Sequence, residues 1–253
     1  SDDFSDGNFS SNPRWVGDSL LFEVNSSGQL HLRSQGSDTS VLMTRCSAFS
    51  SMEWRFWMNL SFNTSSNNYA RVYLASDTLD FTVPLNGWYV QAGGSDDSLF
   101  IIRQKGPDIE RVYGFHSYKM SHSTNTLRIR IRCDETGEWE VALDTAGGIG
   151  YYTDGRFRDS PAGSIRWTGV FCRYTSSNAA KFYFDDFYAG PVIRDTIPPG
   201  ILSTDIPDSK TISIEFSEPV DKETAKKAAN YRITPGDIFP DSVIMEASQP
   251  AVT

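Results

Sequence analysis

Apolar and polar residues alternate with a period of two through most of the first 190 positions of the chain. In "LLFEVNSSGQLHLRS", Leu20, Phe22 and Val24 fall on one face, a Ser26-Ser27-Gly28 turn follows, and Leu30 and Leu32 share a face on the return. Successive side chains of a strand point to opposite sides, so this spacing predicts a hairpin. "LFIIRQKGPDIERVYGF" repeats the design around Gly106-Pro107-Asp108. A third hairpin is read in "LRIRIRCDETGEWEVALD". Keeping Leu127, Ile129, Ile131 and Cys133 on one face with Trp139, Val141 and Leu143 forces Cys133 opposite Trp139 and Asp134 opposite Glu138. The loop is then Glu135-Thr136-Gly137, three residues ending in a glycine suited to a left-handed position. The same register sets Arg132 opposite Glu140 and Arg128 opposite Asp144. The run Arg128-Arg130-Arg132 therefore predicts a charge-paired outer face, not a phosphate-binding patch.

Further strands are predicted at 53–62, 69–75, 87–92, 165–174 and 181–188, with Trp139 and Trp167 on inward faces. Many strands, turns of Gly, Asn, Ser and Asp, and no convincing helix predict an all-β jelly-roll sandwich. The pattern changes after Gly190. "PVIRDTIPPG" carries three prolines, which the centre of a sheet excludes. Short strands then resume in "TISIEF", "YRIT" and "DSVIMEA", around "DKETAKKAAN", whose composition favours helix with Asp221 as N-cap. The expected organisation is a sandwich domain over 1–190, a proline-rich linker over 191–199 and a smaller, partial β module over 200–253.

Charge and cysteine content narrow the chemistry. A formal charge of −9 argues against a nucleic-acid partner, because phosphate binding rests on clustered cations. No run approaches the roughly 20 apolar residues a membrane-spanning helix needs. The chain starts at Ser1, read as a mature form whose export signal is gone. Cys46, Cys133 and Cys172 are odd in number and widely spaced. Buried free thiols are the expectation, with a disulfide as the alternative. There is no HExxH, GxSxG, GxGxxG or phosphate loop.

The opening "DDFSDGNFSSNPRW", the strand "MEWRFWMNLSFNTSSNNYARVYL", the stretch "LNGWYVQAGG" and the closing "FYFDDFYAG" resemble the laminin-G-type or concanavalin-A-like jelly rolls of secreted bacterial proteins. "DTIPPGILST" followed by "TISIEFSEPVDKETAKKAANYRI" resembles a bacterial immunoglobulin-like repeat, shorter here than such repeats usually run. The two resemblances together imply a secreted or cell-surface bacterial protein, built into a larger assembly, whose jelly roll binds carbohydrate or another surface polymer without catalysis. A structural spacer or adhesion module with a protein partner is the alternative, and a polysaccharide-active hydrolase or lyase the third.

Jelly rolls of this kind often hold a structural calcium where first and last strands meet, and acids gather at both ends here: Asp2, Asp3 and Asp6, then Asp185 and Asp186. Calcium takes six to eight oxygens, which such a set could partly supply. Solvated strand ends are the competing reading. Alternation puts Asp185 and Asp186 on opposite faces, so they do not form a catalytic dyad unless a bulge turns one. Sugar binding needs exposed rings beside polar groups. Trp15 near Asn12 and Arg14, either Trp88 or Tyr89, and Tyr151-Tyr152 with Asp154 and Arg156 in a glycine-rich loop are the candidates, against core packing as the alternative for each tryptophan.

Overall fold

The computed structural model describes residues 1–48, 50–159, 166–194, 196–218 and 220–245, and the chain divides into two compact units, Ser1–Ile193 and Arg194–Thr253. In the first unit the strands run β1 (Trp15–Gly17), β2 (Phe22–Val24), β3 (Leu30–Leu32), β4 (Asp38–Arg45), β5 (Met52–Leu60), β6 (Tyr69–Ser76) and β7 (Leu85–Ala92). They continue as β8 (Ser98–Gly106), β9 (Asp108–Lys119), β10 (Asn125–Cys133), β11 (Glu138–Asp144), β12 (Tyr152–Arg158), β13 (Trp167–Tyr174) and β14 (Phe182–Gly190). Two seven-stranded antiparallel sheets result. The first has the order β1-β4-β13-β6-β7-β8-β9, the second β12-β11-β10-β5-β14-β3-β2. The all-β jelly-roll sandwich expected from the alternation is the fold.

Apolar positions of period two from both sheets fill the space between them. Leu42, Val72, Trp88, Val90, Ile101 and Val170 from the first sheet meet Trp54, Phe56, Met58, Ile129, Trp139 and Phe184 from the second. Trp54 and Trp139 stack at 5.5 Å and Trp88 leans on Trp139 at 6.0 Å. Burying a large apolar side chain contributes about 1.5–3 kcal/mol, so these rings carry much of the sandwich's stability.

The β10–β11 hairpin has the predicted register, with Cys133 opposite Trp139, Arg132 opposite Glu140 and Arg128 opposite Asp144. Gly137 has φ +76°, and its N–H closes the turn on the Asp134 carbonyl at 3.1 Å. Leu20 departs from its expected face. It lies in a 3-10 turn, Ser19–Leu21, and is exposed, because β2 begins only at Phe22. Tyr151–Arg156, read as lying in a loop, mostly belongs to β12, an edge strand too polar to alternate clearly. All three cysteines are free thiols. Burial pushes the Cys133 thiol up to about 12, so it stays protonated at neutral pH.

In the second unit β15 (Ile201–Asp208) and β16 (Thr211–Phe216) form a two-stranded sheet, followed by one helical turn, α1 (Lys222–Ala225). Asp221 caps α1, its Oδ1 accepting from the Thr224 N–H at 2.9 Å. The strands expected in "YRIT" and "DSVIMEA" do not form among the described residues: 231–234 contributes one isolated bridge, Ile233 to Ile238, and 241–245 is irregular. The rest of that last segment lies outside the described residues. Among those residues no helix is long and apolar enough to cross a membrane.

Candidate functional site

The structure disperses the aromatic residues singled out in the sequence. Trp15 is buried against Phe4 and Phe187, at 5.6 and 5.2 Å, and its indole N–H donates to Asp2 Oδ2 at 2.7 Å. Trp88 points inward, and its N–H donates to Asp159 Oδ2 at 2.9 Å. Tyr89 takes the opposite face, as alternation requires, yet it is fully buried there. None of the three offers a ring to a ligand. The physical reason is the same in each case: a further layer of side chains covers it.

The third candidate group splits. Tyr151 is half-buried beside Arg130, Tyr152 is exposed, and Arg156 is held by Glu140 at 2.6 Å and Glu138 at 3.4 Å. Asp154 faces inward, and its side chain is fully buried. It accepts from Tyr113 Oη at 2.6 Å, from the N–H groups of His116 and Ser117 at 3.0 and 2.9 Å, and from Ser117 Oγ. Burial alone would raise its carboxyl, but these donors outweigh it and hold the carboxyl below its ordinary value. Asp154 thereby clips edge strand β12 of one sheet to β9 of the other. Its role is structural.

The strand-end acids are also committed. Asp2 pairs with Phe187 on β14 through two 2.8 Å backbone bonds, which does bring the two ends of the unit together. Its carboxylate, however, accepts from Phe4 N and Trp15 Nε1. Asp3 and Asp6 accept from the turns they open, at Ser5 and Asn8. A bulge between Asp185 and Tyr188 turns Asp186, with φ +52°, so that Phe187 faces the core and both acids lie on the outer side. The strict alternation read from the sequence fails at this one point. Asp186 then binds Arg128 at 2.6 Å. Burial, with the nearby Asp186 charge adding to it, raises the Asp185 carboxyl to about 6. Among the described residues no group of three or more His, Cys, Asp or Glu could hold a metal ion. Several of their oxygens are taken by N–H donors and a guanidinium, and among the described residues the five aspartates do not gather into such a group.

A surface the sequence did not single out lies on the outer face of the first sheet. Register aligns Val41, Phe171, Arg71, Gln91 and Phe100 in one row across β4, β13, β6, β7 and β8. The next row is Met43, Gly169, Tyr73, Tyr89 and Ile102. Met43, Tyr73, Tyr89 and Ile102 are buried, while Phe171, Phe100, Trp167 and Phe81 rest on them half-exposed. Arg71 lies 4.7 Å from the Tyr89 ring, 5.2 Å from Phe171 and 5.4 Å from Tyr69, and donates from Nε to Gln91 Oε1 at 3.1 Å. Burial pushes the Tyr73 hydroxyl up to about 12, against the pull of the Arg71 charge, so it stays a neutral donor. Trp167, expected to face inward, belongs to this outer face, with Arg45 over its ring at 4.7 Å. A register shift between Trp167 and Gly169 marks the spot. The legible signal was that "YARVYL" and "WTGVFCRY" are apolar or aromatic on both faces, where an exposed sheet would show one polar face.

No protein-family model matches the sequence, and no curated protein is a significant match. Solved structures do match in fold. The carbohydrate recognition domain of Emp46p, in a metal-free form, aligns over 76% of this chain and 96% of its own, with a TM-score of 0.57 and 11% identity. That of Emp47p aligns over 74% and 90%, with a TM-score of 0.55 and 11% identity. The exoplasmic/lumenal domain of VIP36, in a form bound to calcium and mannose, aligns over 83% and 91%, with a TM-score of 0.55 and 10% identity. At such identities the likeness establishes the lectin-like sandwich fold and nothing finer.

Proposed function

We propose that the first unit binds carbohydrate without catalysis, through the outer face of its first sheet. The observation that carries this reading is the half-exposed row of Phe171, Arg71, Gln91 and Phe100, with Tyr69 and Trp167 beside it. Rings present flat apolar surface to a pyranose, and the Arg71–Gln91 pair supplies donors and an acceptor for its hydroxyls. The shared fold with the carbohydrate recognition domains of Emp46p and Emp47p supports this reading. The setting we propose, as the sequence led us to expect, is an exported bacterial protein in which residues 200–253 serve as a partial immunoglobulin-like neighbour.

Glycan-array screening followed by calorimetry on Phe171→Ala and Arg71→Ala tests the site. Each change is expected to weaken binding by about tenfold or more, about 1.4 kcal/mol, while leaving the melting temperature within a few degrees. Unchanged affinity in both variants would remove this face as the site. Absence of any glycan ligand would favour the spacer or adhesion reading, with which the structural roles of Trp15 and Trp88 are already consistent.

A further inference from the structure

The outer face of the second sheet sets two arginines against each other. Arg55 on β5 lies directly opposite Arg130 on β10, where sheets ordinarily place opposite charges. Arg132 and Arg128 occupy the flanking outward positions on β10. The acids nearby are shared out elsewhere. Glu53 is fully buried and takes both Arg55 and Arg132, the latter at 2.8 Å. Arg128 is held by Asp186. Glu140 is bonded to Arg156 at 2.6 Å and comes no nearer to Arg130 than 3.8 Å, beyond hydrogen-bond reach.

Among the described residues Arg130 therefore makes no hydrogen bond, and its Nε is buried without an acceptor. Tyr151 covers one face of the guanidinium at 4.8 Å but offers no acceptor in its plane. On the other side Tyr188 stands opposite Arg55. Burial, with the Arg132 charge next in weight, draws the Arg130 guanidinium below its ordinary value, and burial raises the Tyr151 hydroxyl against the charges of Arg128, Arg55 and Arg130. These groups thus converge on one spot. A facing pair of cations, one of them with a buried Nε that no acceptor meets, is an environment that an anion completes. Guanidinium forks fit planar carboxylates and sulfates, and flanking rings suit a sugar.

We propose that Arg55 and Arg130, framed by Tyr151 and Tyr188, form a second binding site that takes the carboxylate or sulfate group of an acidic saccharide. The site lies on the opposite sheet from the aromatic row and is independent of it.

The full chain is titrated by calorimetry with a polyuronate oligosaccharide, a sulfated oligosaccharide, free glucuronate, free sulfate and a neutral oligosaccharide. At least one acidic oligosaccharide is expected to bind more tightly than the free anions and to weaken as salt is raised. Arg130→Gln and Arg55→Gln should each lower that affinity about tenfold, whereas Arg158→Gln, which removes a more exposed arginine at the edge of the same sheet, should change it less than about twofold. Phe171→Ala should leave it untouched, which separates this site from the one on the first sheet. If Arg130→Gln does not fold by circular dichroism, Arg55→Gln and Tyr151→Ala carry the test. The proposal is overturned if no acidic probe binds, if free sulfate binds as tightly as the saccharides, or if Arg158→Gln loses as much as Arg130→Gln.

Discussion

Asp159 ties together side chains from both sheets. It follows β12, its side chain is nearly buried, and it accepts from Trp88 Nε1 and Arg103 while its carbonyl accepts from Trp139 Nε1 at 2.7 Å. Two core tryptophans from different sheets thus meet one residue, Trp88 at its carboxylate and Trp139 at its carbonyl. Asp159→Ala leaves the Arg103 charge and the Trp88 N–H without their partner, and about 3 kcal/mol of unfolding free energy should be lost in urea titration. Asp185 gives the opposite sign. Its carboxyl titrates at about 6 in the fold and near 3.8 in the unfolded chain, so the folded state holds the extra proton between those values. Stability falls as pH rises through that window. Asp185→Asn should therefore melt above the parent protein at pH 7, with the difference shrinking toward pH 4. A difference that grows on acidification would show the assignment to be wrong. Such residue-level facts were only half legible in the sequence. The adjacency of Asp185 and Asp186 was visible, but the bulge that puts both on one side depends on a backbone turn at Asp186 that no alternation rule contains.

At the scale of elements, hairpins were read well because their registers are local. One face must be apolar, and a one-residue slip would expose every core side chain. Charge partners were read less well. Arg132 sits opposite Glu140 and Arg128 opposite Asp144 as expected, but the bonds go sideways to Glu53 on β5 and Asp186 on β14. Pairing with a strand distant in sequence decides them, and alternation does not report which strand that is. The same gap hid the aromatic row, whose members come from β4, β6, β7, β8 and β13. One glycine lies in the neighbouring row, between Met43 and Tyr73. A Cβ on Gly169, which has φ +155°, would lie 2.3 Å from the Leu42 carbonyl oxygen and 2.7 Å from Met43 Cα. Gly169→Ala must push β13 away from β4, and a loss of about 2 kcal/mol or more is expected in thermal or urea unfolding. Little change in either would mean that the two strands have slack.

At the scale of the molecule, the division into units falls at Ile193, not at Gly190. The three residues between are fastened to the second sheet. Tyr188 Oη donates to the Pro191 carbonyl at 2.6 Å, the Ile193 N–H donates to buried Glu53 at 3.2 Å, and Arg132 reaches the Ile193 carbonyl at 3.4 Å. The prolines that suggest a boundary in the sequence carry no information about backbone groups that dock before it. A fragment of residues 1–193 should melt close to the whole chain, while one of 1–190 should lose about 1–2 kcal/mol as Glu53 gives up a donor. Equal stabilities would mean that the Glu53 contact contributes nothing.

The bridge between Asp2 and Phe187 has a topological consequence. It brings residue 2 alongside β14, only a few residues before the first unit ends. The two ends of the unit therefore leave from neighbouring positions, so the unit can be treated as a closed loop. A circular permutant that joins residue 193 to residue 1 through a short glycine-serine bridge, and opens instead at the Glu135-Thr136-Gly137 turn, preserves every strand pairing. Grafted into a surface loop of another protein, the same unit would hang from that host like a pendant, adding a whole sandwich at a single point of the host's chain.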